Sequence, residues 1–325
     1  MLLLTDSEVR TCLPMDAALR AVESAFERLG SGLAENSARR RVASRGTTLH
    51  VLSAALDGFL GAKTYTTGPL GGAAWLQLFS SDGESLALMS ASALGQIRTG
   101  AATGVATQWM SEPASRTLSV IGTGFQSRHQ VEAVCRVRPI EVVRAYSPTR
   151  EHLLKYCLEM SRSLGLPVLP AESASEAVCG SNVVVTVTKA SEPFLDGSWL
   201  TPTAHVNATG SNRSQHREIR PSVFRRSSLI VTDDVDQAQT EAGDLLEAIR
   251  EGSLAWESVG TLAGVVSSGT PVRDHIDGIT VFKSLGIGLL DVAVAAVVYE
   301  QAIARGLGTR IDTAGHEKYG SGRNN

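Results

Sequence analysis

Leu118-Ser-Val-Ile-Gly122-Thr-Gly124-Phe-Gln-Ser127 is the stretch that decides the fold. An apolar run of strand length enters a glycine turn, and a sequence of helical character follows. Gly122 permits the tight turn, and Gly124 lets backbone approach a pyrophosphate, which then rests at the positive N-terminus of the helix. Ser127 stands in place of the third glycine or alanine and is small enough for helix and strand to stay close. The glycines alone would also fit an ordinary strand-to-helix turn. The strand before, the helix after and a second strand at the right distance point to a dinucleotide site.

Working outward, the chain beyond Glu112-Pro113 alternates short apolar runs with helical patterns. Leu118 to Ile121, Val142 to Tyr146, Val183 to Val187, His205 to Ala208 and Leu229 to Val231 read as buried strands. That alternation predicts an α/β Rossmann unit with a doubly wound parallel sheet. Ser173-Ala-Ser-Glu176 reads as a capping box before a short helix.

Towards the N-terminus the texture differs. Leu19, Val22, Phe26 and Leu29 recur at helical spacing, with Asp16 as N-cap and Gly30 just past the end. Trp75 to Phe79 and Ser85 to Met89, around Asp82-Gly83, predict a hairpin in a sheet-rich first domain. Ser284 to Ala304 is apolar but carries Asp291 and Glu300, so it reads as a buried helix and not as a membrane span. The polar tail from Gly315 to Asn325 is expected to be loosely ordered.

The second strand of a Rossmann unit normally ends in an acidic residue that accepts from the adenosine ribose. Here it ends Tyr146-Ser147-Pro148-Thr149-Arg150. No carboxylate repels a 2′-phosphate there; Ser147 and Thr149 can donate to it, and Arg150 can pair with it. The expected cofactor is NADPH in preference to NADH. The alternative is that Arg150 is a solvated residue at a helix start.

Composition excludes several classes of function. The 325 residues, 43% hydrophobic, are enough for two cores. A net charge of -3 offers no field for nucleic acid. Cys12, Cys135, Cys157 and Cys179 form no CxxC pair and the seven histidines no HExxH, so neither disulfides nor a metal are predicted. Met1 to Leu4 is too short an apolar run for a signal peptide, so the chain is expected to begin as the mature, cytoplasmic protein.

The glycine turn is one of several motifs in a fixed order: Ile97-Arg98-Thr99 before Ala101-Ala102, Ile121 to Gln126, Val185 to Thr188, Asn207-Ala-Thr-Gly210, and Thr280 to Gly286 with Asp291. In that order and spacing, from about Arg41 to Ala304, the chain resembles the ornithine cyclodeaminase/μ-crystallin family. The resemblance implies a discontinuous α+β substrate and dimerisation domain, residues 1–113 with 292–325, around a Rossmann domain of 114–291, and a homodimer. It places Thr99, Gly122, Gly124, Phe125, Gln126, Thr186, Val187 and Thr188 on the cofactor. It implies an amino or imino acid substrate whose carboxylate is gripped by Arg41, Lys63 and Arg98.

That chemistry is reasonable in itself. Arginine holds a carboxylate bidentately, and an enclosed lysine beside other cations has a lowered pKa and can donate a proton to nitrogen. The alternatives are that Arg39 to Arg41 form a solvated charge run and that Arg98 serves the pyrophosphate. Asp291 is the remaining acidic candidate, with helix capping or ion pairing as its alternatives.

The chain departs from the cyclodeaminase pattern at Asn212, where that branch carries a catalytic Asp. An amide takes no proton at neutral pH. The reading is therefore an NAD(P)H-dependent reductase of the C=N bond of a small, often cyclic, imino acid or ketimine, as in the ketimine reductase branch. The alternatives are alanine dehydrogenase-like oxidation, ornithine or lysine cyclodeamination, and a non-catalytic NADPH-dependent binder like μ-crystallin.

Overall fold

The structure, a computed structural model, describes residues 1–312; the tail from Gly315 to Asn325 lies outside the described residues. Two eight-stranded sheets organise the chain. The first contains β1 (Leu2–Leu4), β2 (Ala34–Asn36), β3 (Arg40–Ser44), β4 (Thr47–Leu56), β5 (Phe59–Thr67), β6 (Ala74–Ser80) and β7 (Ser85–Ser90). The second contains β8 (Thr117–Ile121), β9 (Val142–Tyr146), β10 (Val168–Pro170), β11 (Val183–Thr186), β12 (His205–Ala208), β13 (Ser227–Thr232), β14 (Val259–Thr261) and β15 (Ile279–Lys283). The two-residue β16 (Thr309–Arg310) returns the chain to the edge of the first sheet beside β1.

In the first sheet β4, β5, β6 and β7 form an antiparallel meander, and β6 and β7 are the hairpin read from the sequence. Side chains alternate across it. Leu52, Leu76, Leu78, Ala87 and Met89 are buried on one face, while Leu49, Leu60 and Trp75 are exposed on the other. The second sheet runs β10-β9-β8-β11-β12-β15-β13-β14, with every pairing parallel. Its strand order reverses between β8 and β11, so a crevice opens where Gly122 and Val187 leave those strands. Both faces are covered: Leu118, Val120, Val183 and Val185 pack into one cluster, Val184, Val206 and Val281 into the other.

Eleven helices are described: α1 (Asp6–Cys12), α2 (Met15–Gly30), α3 (Ser92–Met110), α4 (Ser127–Val137), α5 (Arg150–Leu164), α6 (Ala174–Val178), α7 (Pro221–Arg225), α8 (Val235–Glu241), α9 (Gly243–Arg250), α10 (Leu262–Ser267) and α11 (Gly288–Arg305). Among the described residues no helix is long and apolar enough to cross a membrane. α3 is buried almost all round because its small residues let α1, α2, α4, α11 and strands β12 and β15 approach. α11 lies on the buried face of the first sheet, so the first core is made from the two ends of the chain.

Some boundaries differ from the sequence reading. Asp16 is not the N-cap of α2; it lies in the first turn behind Pro14, where its charge suits the helix dipole, and Gly30 is the last helical residue. The complete capping box is at Thr5-Asp-Ser-Glu8, with both arms made. At Ser173 only one arm forms, because the Glu176 carboxylate accepts from Glu172 N–H instead. A domain division after residue 291 would fall inside α11, whose cap residue Ile287 carries no capping side chain to mark the start.

Candidate active site

At the crevice, Gly122 has φ +106°, which favours glycine, and a Cβ there would sit 2.5 Å from the Val187 carbonyl oxygen. Its N–H donates to the Tyr146 carbonyl, and Val187 N–H donates to that of Ile121, so three strand ends are laced together. A Cβ on Gly124 would meet nothing within 4 Å. The open space at Gly124 leaves room for a pyrophosphate to approach the backbone N–H groups that open α4. Ser127 is fully buried at the start of α4, its hydroxyl donating to the Gly124 carbonyl. From the other side Gln96 of α3 donates to the Phe125 carbonyl and is itself held by Arg10 of α1.

A cavity of about 800 Å³ lies between this turn and the first sheet. Lys63 of β5 and Arg98 of α3 reach its wall, each within 2.9 Å of Asp291 Oδ1. Asp291, in the first turn of α11, is fully buried behind them. Burial pushes the Lys63 ammonium down to about 8, with Arg98 and Arg39 adding to the effect and Asp291 opposing it. Burial also works against the Asp291 carboxylate, but Arg98 and Lys63 outweigh it and hold its pKa below the usual aspartate value. Arg98 keeps one terminal guanidinium nitrogen buried and without a partner.

Arg39, and not Arg41, lines this cavity beside Lys63 and Arg98. Arg39 is buried, donating to Glu241 of α8 and to the carbonyls of Leu285 and Gly286. Arg41 takes the other oxygen of Glu241 and the Asn212 carbonyl, and opens onto a smaller chamber of about 250 Å³. Both arginines project from one side of the extended chain, but Glu241 lies between them and only the nearer reaches the main cavity.

The remaining candidates divide in the same way. Thr99, Phe125 and Gln126 line the cavity. Thr186 does not: its buried hydroxyl donates to Glu218, which also accepts from the N–H groups of Thr188 and Gly210. Val187 and Thr188 leave β11 beside Gly122. Ser147, Thr149 and Arg150 sit outside the cavity at the end of β9, and Arg150 pairs at 2.8 Å with Glu172, which follows β10. Asn207 turns away, donating to Thr107 and tying β12 to α3.

Four buried acids had no marker in the sequence. Asp233 accepts from Gly286 N–H at 2.7 Å and from Leu285 N–H, fixing the 284–286 loop at the cavity. Glu218 and Asp244 lie with Lys283 beneath the ends of β11 and β12, and Lys283 Nζ is 2.7 Å from Asp244. Glu241 is the fourth. A buried acid and a surface acid look alike in a sequence; only the approach of elements far apart in the chain tells them apart.

The family pattern of ornithine cyclodeaminase/mu-crystallin matches residues 1–306. The chain belongs to that family. It is 36% identical over 231 residues, 71% of each chain, to a delta(1)-pyrroline-2-carboxylate reductase of Bacillus cereus. Its fold is similar to the structure of the Thermococcus litoralis delta(1)-pyrroline-2-carboxylate reductase in complex with NADH and L-proline, with TM-score 0.91 and 31% identity over 96% of this chain and 100% of that one. It is also similar to an archaeal alanine dehydrogenase dimer with bound NAD, with TM-score 0.90 and 30% identity over 96% and 99% of the two chains. Against the family's cyclodeaminase pattern, Asn212 stands on the cavity wall, its amide 3.4 Å from the Leu285 carbonyl. Among the described residues no carboxylate lines the cavity.

Proposed function

We infer that the chain is an NAD(P)-dependent oxidoreductase that reduces the C=N bond of a small imino acid or ketimine to the amino acid. The observation that carries this is the convergence of Lys63, Arg98 and Arg39 on one cavity wall, with Asp291 and Glu241 behind them and the glycine turn at the same cavity. The relatives named as reductases support it. When bound at Gly122 and Gly124, a reduced nicotinamide supplies the two electrons and one hydrogen that C=N reduction needs, the second proton coming from the protein or solvent.

The chain's own residues do the rest. The free guanidinium nitrogen of Arg98, with Arg39, grips the substrate carboxylate and fixes the adjacent carbon. Asp291 and Glu241 position these cations without touching substrate. Lys63, with its pKa near 8, gives a proton to the imine nitrogen. Asn212 offers no base, and a cavity without carboxylates does not attract a diamino acid, so cyclodeamination is disfavoured.

We assign the cofactor as NADPH, supported by Arg150, Ser147 and Thr149 and by the lack of an acid at the end of β9. Substrate binding falls to the first sheet with α11, cofactor binding to the second sheet. The assembly is a homodimer, for which the exposed Val42, Leu49, Leu60 and Trp75 of the first sheet supply an apolar surface. The four free cysteines suit the cytoplasm.

Mixing the purified protein with NADPH and a panel of cyclic imino acids tests the reading through loss of nicotinamide absorbance. Steady turnover is expected. Tight binding of an imino acid without turnover would instead make the chain a cofactor-dependent binder, and ammonia release from ornithine with NAD⁺ would overturn the argument from Asn212.

A further inference from the structure

We propose that the substrate carries a second carboxylate, which Arg213 receives where the cationic cavity opens into the small chamber beside it. The inference rests on the reductase reading and deepens it by naming the substrate class.

Arg213 belongs to the loop that follows β12 and lines both spaces. It donates to the Thr67 hydroxyl at 3.2 Å, so it spans from the second sheet to β5 on the substrate side of the cavity. Arg39, Arg41, Lys63 and Arg98 each share a buried carboxylate, whereas Arg213 makes no ion pair among the described residues. Lys189, the other cavity cation without an ion pair, stands after β11 next to β8, on the cofactor side. One substrate carboxylate is already provided for at Arg39 and Arg98. Beyond them Arg213, whose guanidinium is bonded to the Thr67 hydroxyl and to no carboxylate among the described residues, is placed to take a second acid group.

The chamber suits an anion. Its volume of about 250 Å³ exceeds what a carboxylate and a few waters of ~30 Å³ each occupy. Arg41, His50 and Thr48 form part of its wall, and among the described residues no acid does, because Glu241 lies behind Arg41. His50 stacks on Tyr65 at 4.2 Å, and burial, with Arg41, Arg39 and Arg213 adding to it, holds its pKa down at about 4; the charges of Arg41 and Arg213 on the wall make the potential there positive. Such a lining favours a carboxylate and repels an ammonium side chain.

The experiment compares two acyclic imines on the cofactor-loaded protein: that of oxaloacetate with ammonia, which bears two carboxylates, and that of pyruvate with ammonia, which bears one. The wild type is expected to favour the first by about 10-fold or more in kcat/KM. Arg213→Met is expected to lower that preference by about 10- to 100-fold, chiefly through KM, and Arg213→Lys to restore part of it. Succinate, a saturated dicarboxylate, is expected to raise the melting temperature of the wild-type holoprotein more than propionate does, and Arg213→Met to remove the difference. Equal use of the two imines, or a preference unmoved by Arg213→Met, overturns the proposal alone. Failure of every imine, cyclic ones included, overturns the reductase reading and this inference with it.

Discussion

Lys63 is buried next to an aspartate and an arginine, and its titration near pH 8 is the most direct consequence of the site. If the protonated amine serves reduction, the reduction rate falls as pH rises through about 8, while oxidation of the amino acid product rises. Asp291→Asn removes the group that raises the Lys63 pKa, so the alkaline limb of the reduction profile moves to lower pH. The same change leaves two cations without their shared counter-charge and costs about 3–5 kcal/mol of stability. A pH–rate profile and a denaturant titration of the two proteins check both effects; an unmoved limb removes Lys63 from the proton step. The folded-state pKa lies below that of an unfolded lysine, so the unfolded chain holds this proton more tightly. Lys63 alone therefore makes stability rise with pH between about 8 and the unfolded value. At this scale the sequence singled out Lys63 and Arg98, which meet at the main cavity, and Arg41, which opens onto the smaller chamber, because residue spacing does not fix which of two arginines Glu241 leaves at the main cavity.

Among elements, the apolar runs marked five of the eight parallel strands nearly residue by residue, since a strand buried on both faces has little else to be, whereas β10, β14 and β15 were not read as strands. The helices were less legible. α3 is buried on every side and so shows no amphipathic period, and α1 is announced only by its Thr5-Glu8 box. The end of β9 carries a prediction of its own. Arg150 pairs with Glu172, an exposed acid from the neighbouring strand's end, and an exposed pair of this kind contributes little. Arg150→Ala should lose about tenfold or more affinity for NADPH and far less for NADH, while Glu172→Gln should favour NADPH by freeing the guanidinium. Fluorescence titrations of the two cofactors measure this, and equal losses refute the NADPH assignment.

For the molecule as a whole, the first sheet packs against α1, α2 and α11 and leaves Val42, Leu49, Leu60 and Trp75 exposed on strands β3 to β6. If a second copy covers that surface, the wild type sediments as a dimer and Trp75→Glu as a monomer at micromolar concentration, because an ionised carboxylate enters an apolar interface only at high cost. A monomeric wild type refutes it. The sequence by itself determined the parallel α/β character of the second sheet, five of its strands and the glycine turn, because hydrophobic period and turn chemistry are local properties of the chain. Only the tertiary structure decided that Lys63, Arg98 and Asp291 share one contact, that Arg39 faces the cavity, and that Glu218, Asp233 and Glu241 hold its walls. Those partners are separated by up to hundreds of residues, and the burial that gives a charge its role exists only once distant elements pack together.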